Sequence, residues 1–324
     1  MTNRIKVLPT GTLAVALVVA VAAVAALALA LLVAAQEPAR AAFSGKNGRI
    51  AFYEMQNGDA EIFTMYHDGS NRKQLTNNDG DDREPAYSPD GTKIAFRHQP
   101  YQNPYVRGTA EIWVMDVRTG EATPVTESPA DENHPVWSPD GSKIAFVRIL
   151  EGDSNDDYEI YTVNADGSGE TRLTDNEADD SYPAWSPDGS KLAFYRDFEI
   201  WLMNATDGTQ QVQLTDNSVR DSHPTWSPDG AKIAFDRRSG RIRAEDVWTM
   251  NADGTGQTNL TNARGNDFEP AWSPNGHKIA FLKDIGGRFD VFKMYTDGTG
   301  RRNLTNAPAF RNGPDWQPKP LATE

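Results

Sequence analysis

The sequence predicts an all-β fold: a closed six-bladed propeller of four-stranded antiparallel blades, preceded by one hydrophobic N-terminal helix. Three observations carry this expectation. A phrase recurs through the chain with a period in the forties. Its first and last copies are complementary fragments of one unit. An apolar run at the N-terminus stands outside the repeat.

The repeat is clearest as Pro183-Ala-Trp-Ser-Pro-Asp-Gly-Ser-Lys-Leu-Ala-Phe194, followed by Glu199-Ile-Trp-Leu-Met203, Asp207-Gly208 and Leu214-Thr215. Its aromatic anchors are Tyr87, Trp137, Trp185, Trp226, Trp272 and Trp316, separated by 50, 48, 41, 46 and 44 residues. A threonine (Thr76, Thr126, Thr174, Thr215, Thr261, Thr305) stands 11 residues before each anchor. Each unit reads as four short strands: A around the anchor, B at Lys-Ile-Ala-Phe, C at Glu-Ile-Trp-x-Met, and D ending in Leu-Thr. Ile112 and Val114 fall on one side of strand C, Trp113 and Met115 on the other. A strand apolar on both faces needs cover on both, which neighbouring blades supply.

The turns agree. Asp-Gly joins A to B at Asp90, Asp140, Asp188 and Asp229, with Asn275-Gly276 as a variant. A second Asp-Gly joins C to D at Asp68, Asp166, Asp207, Asp253 and Asp297, and Thr119-Gly120 departs from it. Tight hairpins need positive φ, which Gly and Asn/Asp tolerate. The chain enters the repeat at Asn47-Gly-Arg-Ile-Ala-Phe52, a B strand without its A strand. It leaves at Pro314-Asp-Trp-Gln-Pro318, an A strand without its B strand. Joined, they make the sixth blade, so the C-terminal strand is expected to close the ring and remove exposed sheet edges.

Ahead of the repeat, Arg4 and Lys6 precede 23 apolar residues, Leu13–Ala35. As a helix the run would be about 34 Å long, against a bilayer core of about 30 Å. Ala39-Arg40-Ala41 places small residues as at a signal-peptidase site. Residues 1–42 are therefore a signal peptide or a membrane anchor, 43–319 the propeller, and 320–324 a short tail. Both readings of the leader put the propeller outside the cytoplasm, anchored to the membrane or free in the periplasm or medium.

Composition narrows the chemistry. Cysteine is absent, which excludes disulfides, thiolate metal sites and a cysteine nucleophile. Asp and Glu number 46 against 32 Lys and Arg, for a net charge of −14, so a nucleic-acid partner is not expected. Gly-x-Ser-x-Gly does not occur.

Trp-Ser-Pro-Asp-Gly followed by Lys-Ile-Ala-Phe resembles the WD40-like (PD40) repeat of TolB-type propellers, over about residues 43–318. The resemblance implies the six-bladed fold. TolB itself carries an α/β domain before its propeller, and the chain is expected to lack it.

Hairpins alternate ends, so A–B and C–D turns share one face, and B–C and D–A connections share the other. The second face varies between blades, as binding faces do. Three residues before the anchors stand Glu84, His134, Tyr182, His223, Glu269 and Gly313, expected at the channel mouth together with Arg311. Five before the anchors stand Asp82, Glu132, Asp180, Asp221 and Asp267, with Arg311 in the sixth unit. These carboxylates form a cation-binding ring or, more simply, bond backbone N–H groups of their turns. On the B–C loops, Tyr101, Tyr105 and Arg107 in the second unit and Arg237, Arg238, Arg241 and Arg243 in the fifth are candidate contact residues. An acidic insertion, Glu151 to Asp157, occupies the third.

The leading expectation is an exported, monomeric, non-catalytic module that binds an envelope or extracellular protein, peptide or glycan, with no cofactor. The alternative is a metal-dependent, lyase-like enzyme using His134 and His223, with calcium or a transition metal bound.

Overall fold

The computed structural model describes residues 46–56, 58–103, 106–150, 157–238, 244–262, 265–306 and 311–319. The apolar run, the rest of the leader and the tail lie outside these. Among the described residues no helix is long and apolar enough to cross a membrane.

Six sheets, each ordered A–B–C–D from the inside outward, form the blades. Blade 1 is the composite: its inner strand Arg311–Lys319 pairs with Lys46–Gln56, followed by Asp59–Tyr66 and Lys73–Gln74. The inner strands of blades 2 to 6 are Gly80–Tyr87, Glu132–Trp137, Asp180–Trp185, Asp221–Trp226 and Asp267–Trp272. The predicted closure is therefore present, with Ile50 opposite Trp316.

Packing explains the Lys-Ile-Ala-Phe phrase. Alternation along strand B sends Ile and Phe to one face and Ala to the other. Ile144 and Phe146 of blade 3 pack on Ala95 and Ile112 of blade 2, while Ala145 receives Leu192 and Phe194 of blade 4. The pattern repeats around the ring, giving one apolar cluster at each of the six blade interfaces. The large pair fills the gap, and the alanine lets the next blade approach. Phe52, Phe96, Phe146, Phe194, Phe235 and Phe281 are all fully buried.

The recurrent threonine has an equally local cause. Each of the six accepts the backbone N–H of an isoleucine or valine in strand C, from Ile62 to Thr76 at 2.9 Å through Val291 to Thr305 at 3.0 Å. Thr76, Thr215 and Thr261 also donate to the acidic residue just before that isoleucine or valine (Glu61, Glu199, Asp246). The short strand D is thus stitched to C by side chains. In the A–B turns, Asp90, Asp140 and Asp188 accept both a serine hydroxyl and a turn N–H, which pulls their carboxyls below the ordinary value.

Candidate functional site

The six positions three residues before the anchors converge on the channel mouth, because each inner strand bulges there. Pairing with strand B skips at this point in every blade. The residue at the bulge is left-handed: Glu84 at φ 55°, His134 at 53°, Tyr182 at 54°, His223 at 50°, Glu269 at 50° and Gly313 at 65°. A proline follows each one, where the bulge requires no N–H donor. Non-glycine residues at positive φ cost of order 1 kcal/mol or more each. Here five of them turn side chains toward one cavity of about 370 Å³.

Neighbouring blades fix these groups. The Glu84 carboxylate accepts the N–H of His134 at 2.7 Å, and Glu269 accepts that of Gly313 at 2.8 Å. Tyr182 stands between the two imidazoles, its ring 4.3 Å from His134 and 3.9 Å from His223. His223 Nδ1 lies 2.8 Å from Asp236 Oδ1, near enough for an ion pair but not aligned for a hydrogen bond. The Nε2 atoms face carboxylates: His134 Nε2 is 3.6 Å from Glu84, and His223 Nε2 is 3.9 Å from Glu269.

Electrostatics separates the two histidines. Burial pushes His134 below the ordinary value, against the pull of Glu84. Burial acts the same way on His223, but Asp236 and then Glu269 outweigh it and raise that imidazole. Burial lifts the Glu269 carboxyl to about 7, partly opposed by His223. Tyr182 is raised to about 12, again by burial. Deeper in the channel, Asp315 lines both this cavity and a second one of about 90 Å³ walled by the anchor aromatics. Burial raises its carboxyl to about 7, although it accepts the Tyr87 N–H at 2.7 Å.

The carboxylates five before the anchors have a different role from either one expected. They are completely buried, and each pairs with the strand-B base opposite it. Asp82 meets His98, Glu132 meets Arg148, Asp180 meets Arg196, Asp221 meets Arg237 and Asp267 meets Lys283, all at 2.6 Å. Neither turn N–H groups nor an open cation ring describes them. The bases also stack on strand-C aromatics, as Arg196 does over Trp201 and Arg237 over Trp248. In blade 1 the backbone register sets Arg311 opposite Glu54, so the order of charges is reversed.

Other candidates also move. Arg237 is not a loop-tip anchor: it and Arg238 lie on strand Lys232–Arg238, with Arg237 held by Asp221. The blade 2 insertion is a ribbon in which strand Lys93–Asn103 pairs back with Val106–Arg107, placing Tyr101 opposite Arg107. Tyr105, Arg241, Arg243 and residues 151–156 lie outside the described residues.

Sequence reasoning missed a second variable column. The residue after the strand-B phenylalanine is Tyr53, Arg97, Val147, Tyr195, Asp236 or Leu282; Val147 and Leu282 are fully buried, while the other four reach the mouth or the groups around it. Tyr53 lines the cavity. Arg97 bonds Asn133 at 2.6 Å, and Asp236 holds His223 and accepts the Glu269 N–H at 3.2 Å. Tyr195 extends the aromatic set outward, with its ring 6.1 Å from Tyr182 and 6.5 Å from Phe198. Phe198 is 61% exposed at the tip of a two-residue turn in which Asp197 and Phe198 have φ of 49° and 72°. A bulky residue in that region is rare in an ordinary hairpin. Aligning the repeats column by column would have exposed these positions.

The aromatic between the histidines bears on metal binding. Among the described residues no group of three or more His, Asp or Glu side chains is placed to hold a metal ion.

Comparison with known proteins agrees with the architecture. The model of the PD40 family, described as the TolB beta propeller domain, matches residues 101–199. A protein TolB homolog of Chlorobium luteolum is 38% identical over 60 residues, a match spanning 18% of this chain and 14% of that relative's length. The crystal structure of TolB from Acinetobacter baumannii superposes with a TM-score of 0.71 at 24% identity, covering 84% of this chain and 67% of that one. An oligogalacturonate lyase in complex with manganese gives a TM-score of 0.54 at 17% identity, covering 75% and 73%. At such identities the structural likenesses establish the fold. Blade construction and ring closure make this chain a six-bladed β-propeller, and its repeat is similar to that of the TolB beta propeller domain over residues 101–199.

Proposed function

We propose that the chain is an exported, non-catalytic binding module whose channel mouth receives an extended peptide of an envelope or extracellular protein. The observation carrying this reading is the break in symmetry at the bulges. Six structurally equivalent positions hold two glutamates, two histidines, one tyrosine and one glycine, and all line one cavity. A purely architectural ring would repeat one residue, as the six threonines do. Glu269 and Glu84 flank the Gly313 gap and suit a cationic group. Tyr182, Tyr195 and Phe198 lead away over blade 4 and suit apolar side chains. Those rings meet at 75° and 85°, so they form slots for side chains instead of the flat platform a sugar would stack on. The export reading comes from Arg4, Lys6 and the apolar run.

Fluorescence anisotropy with labelled synthetic peptides tests the reading. Peptides combining a lysine with aromatic residues should bind at least about tenfold more tightly than Glu/Ser peptides of equal length, the scale of one lost hot-spot contact. Tyr182→Ala and Glu269→Gln should each erase that preference in a protein that still melts cooperatively. Equal binding of both peptide classes, or a preference that survives Tyr182→Ala, would overturn the proposal.

The metal-dependent, lyase-like alternative draws on the likeness to the manganese-bound lyase. Tyr182 between His134 and His223 speaks against a shared ion. Metal analysis with melts before and after chelation decides it. The binding reading expects an unchanged melt, and a stoichiometric transition metal would favour the enzyme.

A further inference from the structure

The face opposite the mouth carries a second break in symmetry, this time on two adjacent blades. At the end of strand C, blades 3, 4 and 5 have Asn164, Asn204 and Asn251 and blade 2 has Asp116. Asn164 and Asn251 bond the turn hydroxyls of Ser168 and Thr255. Blades 1 and 6 instead have Tyr66 and Tyr295, 42% and 51% exposed. The residues entering strand D change with them. They are Arg72-Lys73 in blade 1 and Arg301-Arg302 in blade 6, against Glu121-Ala122, Glu170-Thr171, Gln211-Val212 and Gln257-Thr258 elsewhere.

The two blades make one surface. The Lys293 ammonium of blade 6 donates to the His67 carbonyl of blade 1. Burial, then Lys278 and Arg302, lowers the Lys293 ammonium, a sign of crowded positive charge. Each tyrosine carries a cation over its ring, Arg49 at 4.6 Å from Tyr66 and Lys278 at 5.7 Å from Tyr295. Arg72 is paired with Glu54. The acids at this edge, Asp68 and Asp297, turn into their own hairpins on Ser70 and Thr299. A cationic, tyrosine-bearing patch on a chain of net charge −14 requires a specific use.

Lys46 pairs with Lys319 at this same end of the ring, so both ends of the described chain emerge here. Residues 36–45 separate Lys46 from the apolar run and reach at most about 35 Å when fully extended. Tyrosine and basic side chains are the residues that settle at a bilayer's polar boundary.

From this placement we infer that the turn face of blades 1 and 6 rests on an anionic lipid surface, directing the channel mouth outward. The inference depends on the reading of residues 1–42 as an anchor. It is tested with the full chain assembled into nanodiscs of phosphatidylcholine alone or with added phosphatidylglycerol, following amide exchange at residues 66–73 and 295–302. The anionic lipid should slow exchange there roughly fivefold or more, the scale of one cation at a charged surface. High salt should abolish the effect. So should Lys73→Glu with Arg302→Glu, while exchange in blade 4 matches the parent chain. Equal exchange in both lipids overturns the patch. Protection by polyglutamate, with none from phosphatidylglycerol, reassigns it to an acidic protein. A chain absent from discs of both kinds removes the anchor, and the inference with it.

Discussion

Asp315 offers the sharpest test of how the channel is built. Strand A of the other blades has Ala86, Val136, Ala184, Thr225 or Ala271 at this position, so the carboxyl enters a site made for small side chains. Burial raises it from 3.8 to about 7. Ionising it there costs the folded chain about 4 kcal/mol as an upper bound, and about 2 kcal/mol once water in the channel is allowed for. The sign follows from proton binding. A carboxyl raised in the folded state holds its proton more tightly than in the unfolded chain. The penalty therefore grows as pH rises through the window from about 4 to about 7 and is complete above it. Asp315→Asn keeps an oxygen to accept the Tyr87 N–H and removes the charge. At pH 8 the variant should melt about 4–8 °C above the parent, taking about 2–4 °C per kcal/mol for a domain of this size. At pH 5 most of the difference should be gone. Calorimetry of both proteins at the two pH values reads the effect. A variant melting below the parent at pH 8 would refute the reasoning, because the carboxylate would then be charged and compensated in the fold.

Three further outcomes follow from the blade chemistry. Arg196→Met strands the fully buried Asp180 and should cost about 3–5 kcal/mol in urea unfolding, most of it recovered by adding Asp180→Asn. Thr215→Val removes the acceptor of the Ile200 N–H and should cost about 1–3 kcal/mol, whereas Thr215→Ser should stay close to the parent. In an NMR pH titration His223 should titrate above the ordinary 6.5 and His134 below it. Asp236→Asn should bring His223 below 6.5, since burial then goes unopposed by its strongest partner.

What the sequence determined by itself is whatever repeats. Blade number, strand order, turns and closure follow from local rules applied six times. The alternation of Ile-Ala-Phe, the positive φ of Asp-Gly turns and the threonine accepting one N–H each act within a blade or across one interface. Repetition makes them legible. The mouth column from Glu84 to Gly313 was also visible, because its spacing to the anchor is constant while its chemistry is not. Tertiary structure alone decided what those residues meet. Asp180 and Arg196 are 16 residues apart, yet strand pairing sets them face to face, so a ring expected to serve turns or a cation became a set of internal ion pairs. His134, Tyr182 and His223 come from three consecutive blades, and only the stacking of those blades places the tyrosine between the imidazoles. Asp236 and Asp315 take their character from burial, which depends on the packing of every neighbouring blade and on no local phrase.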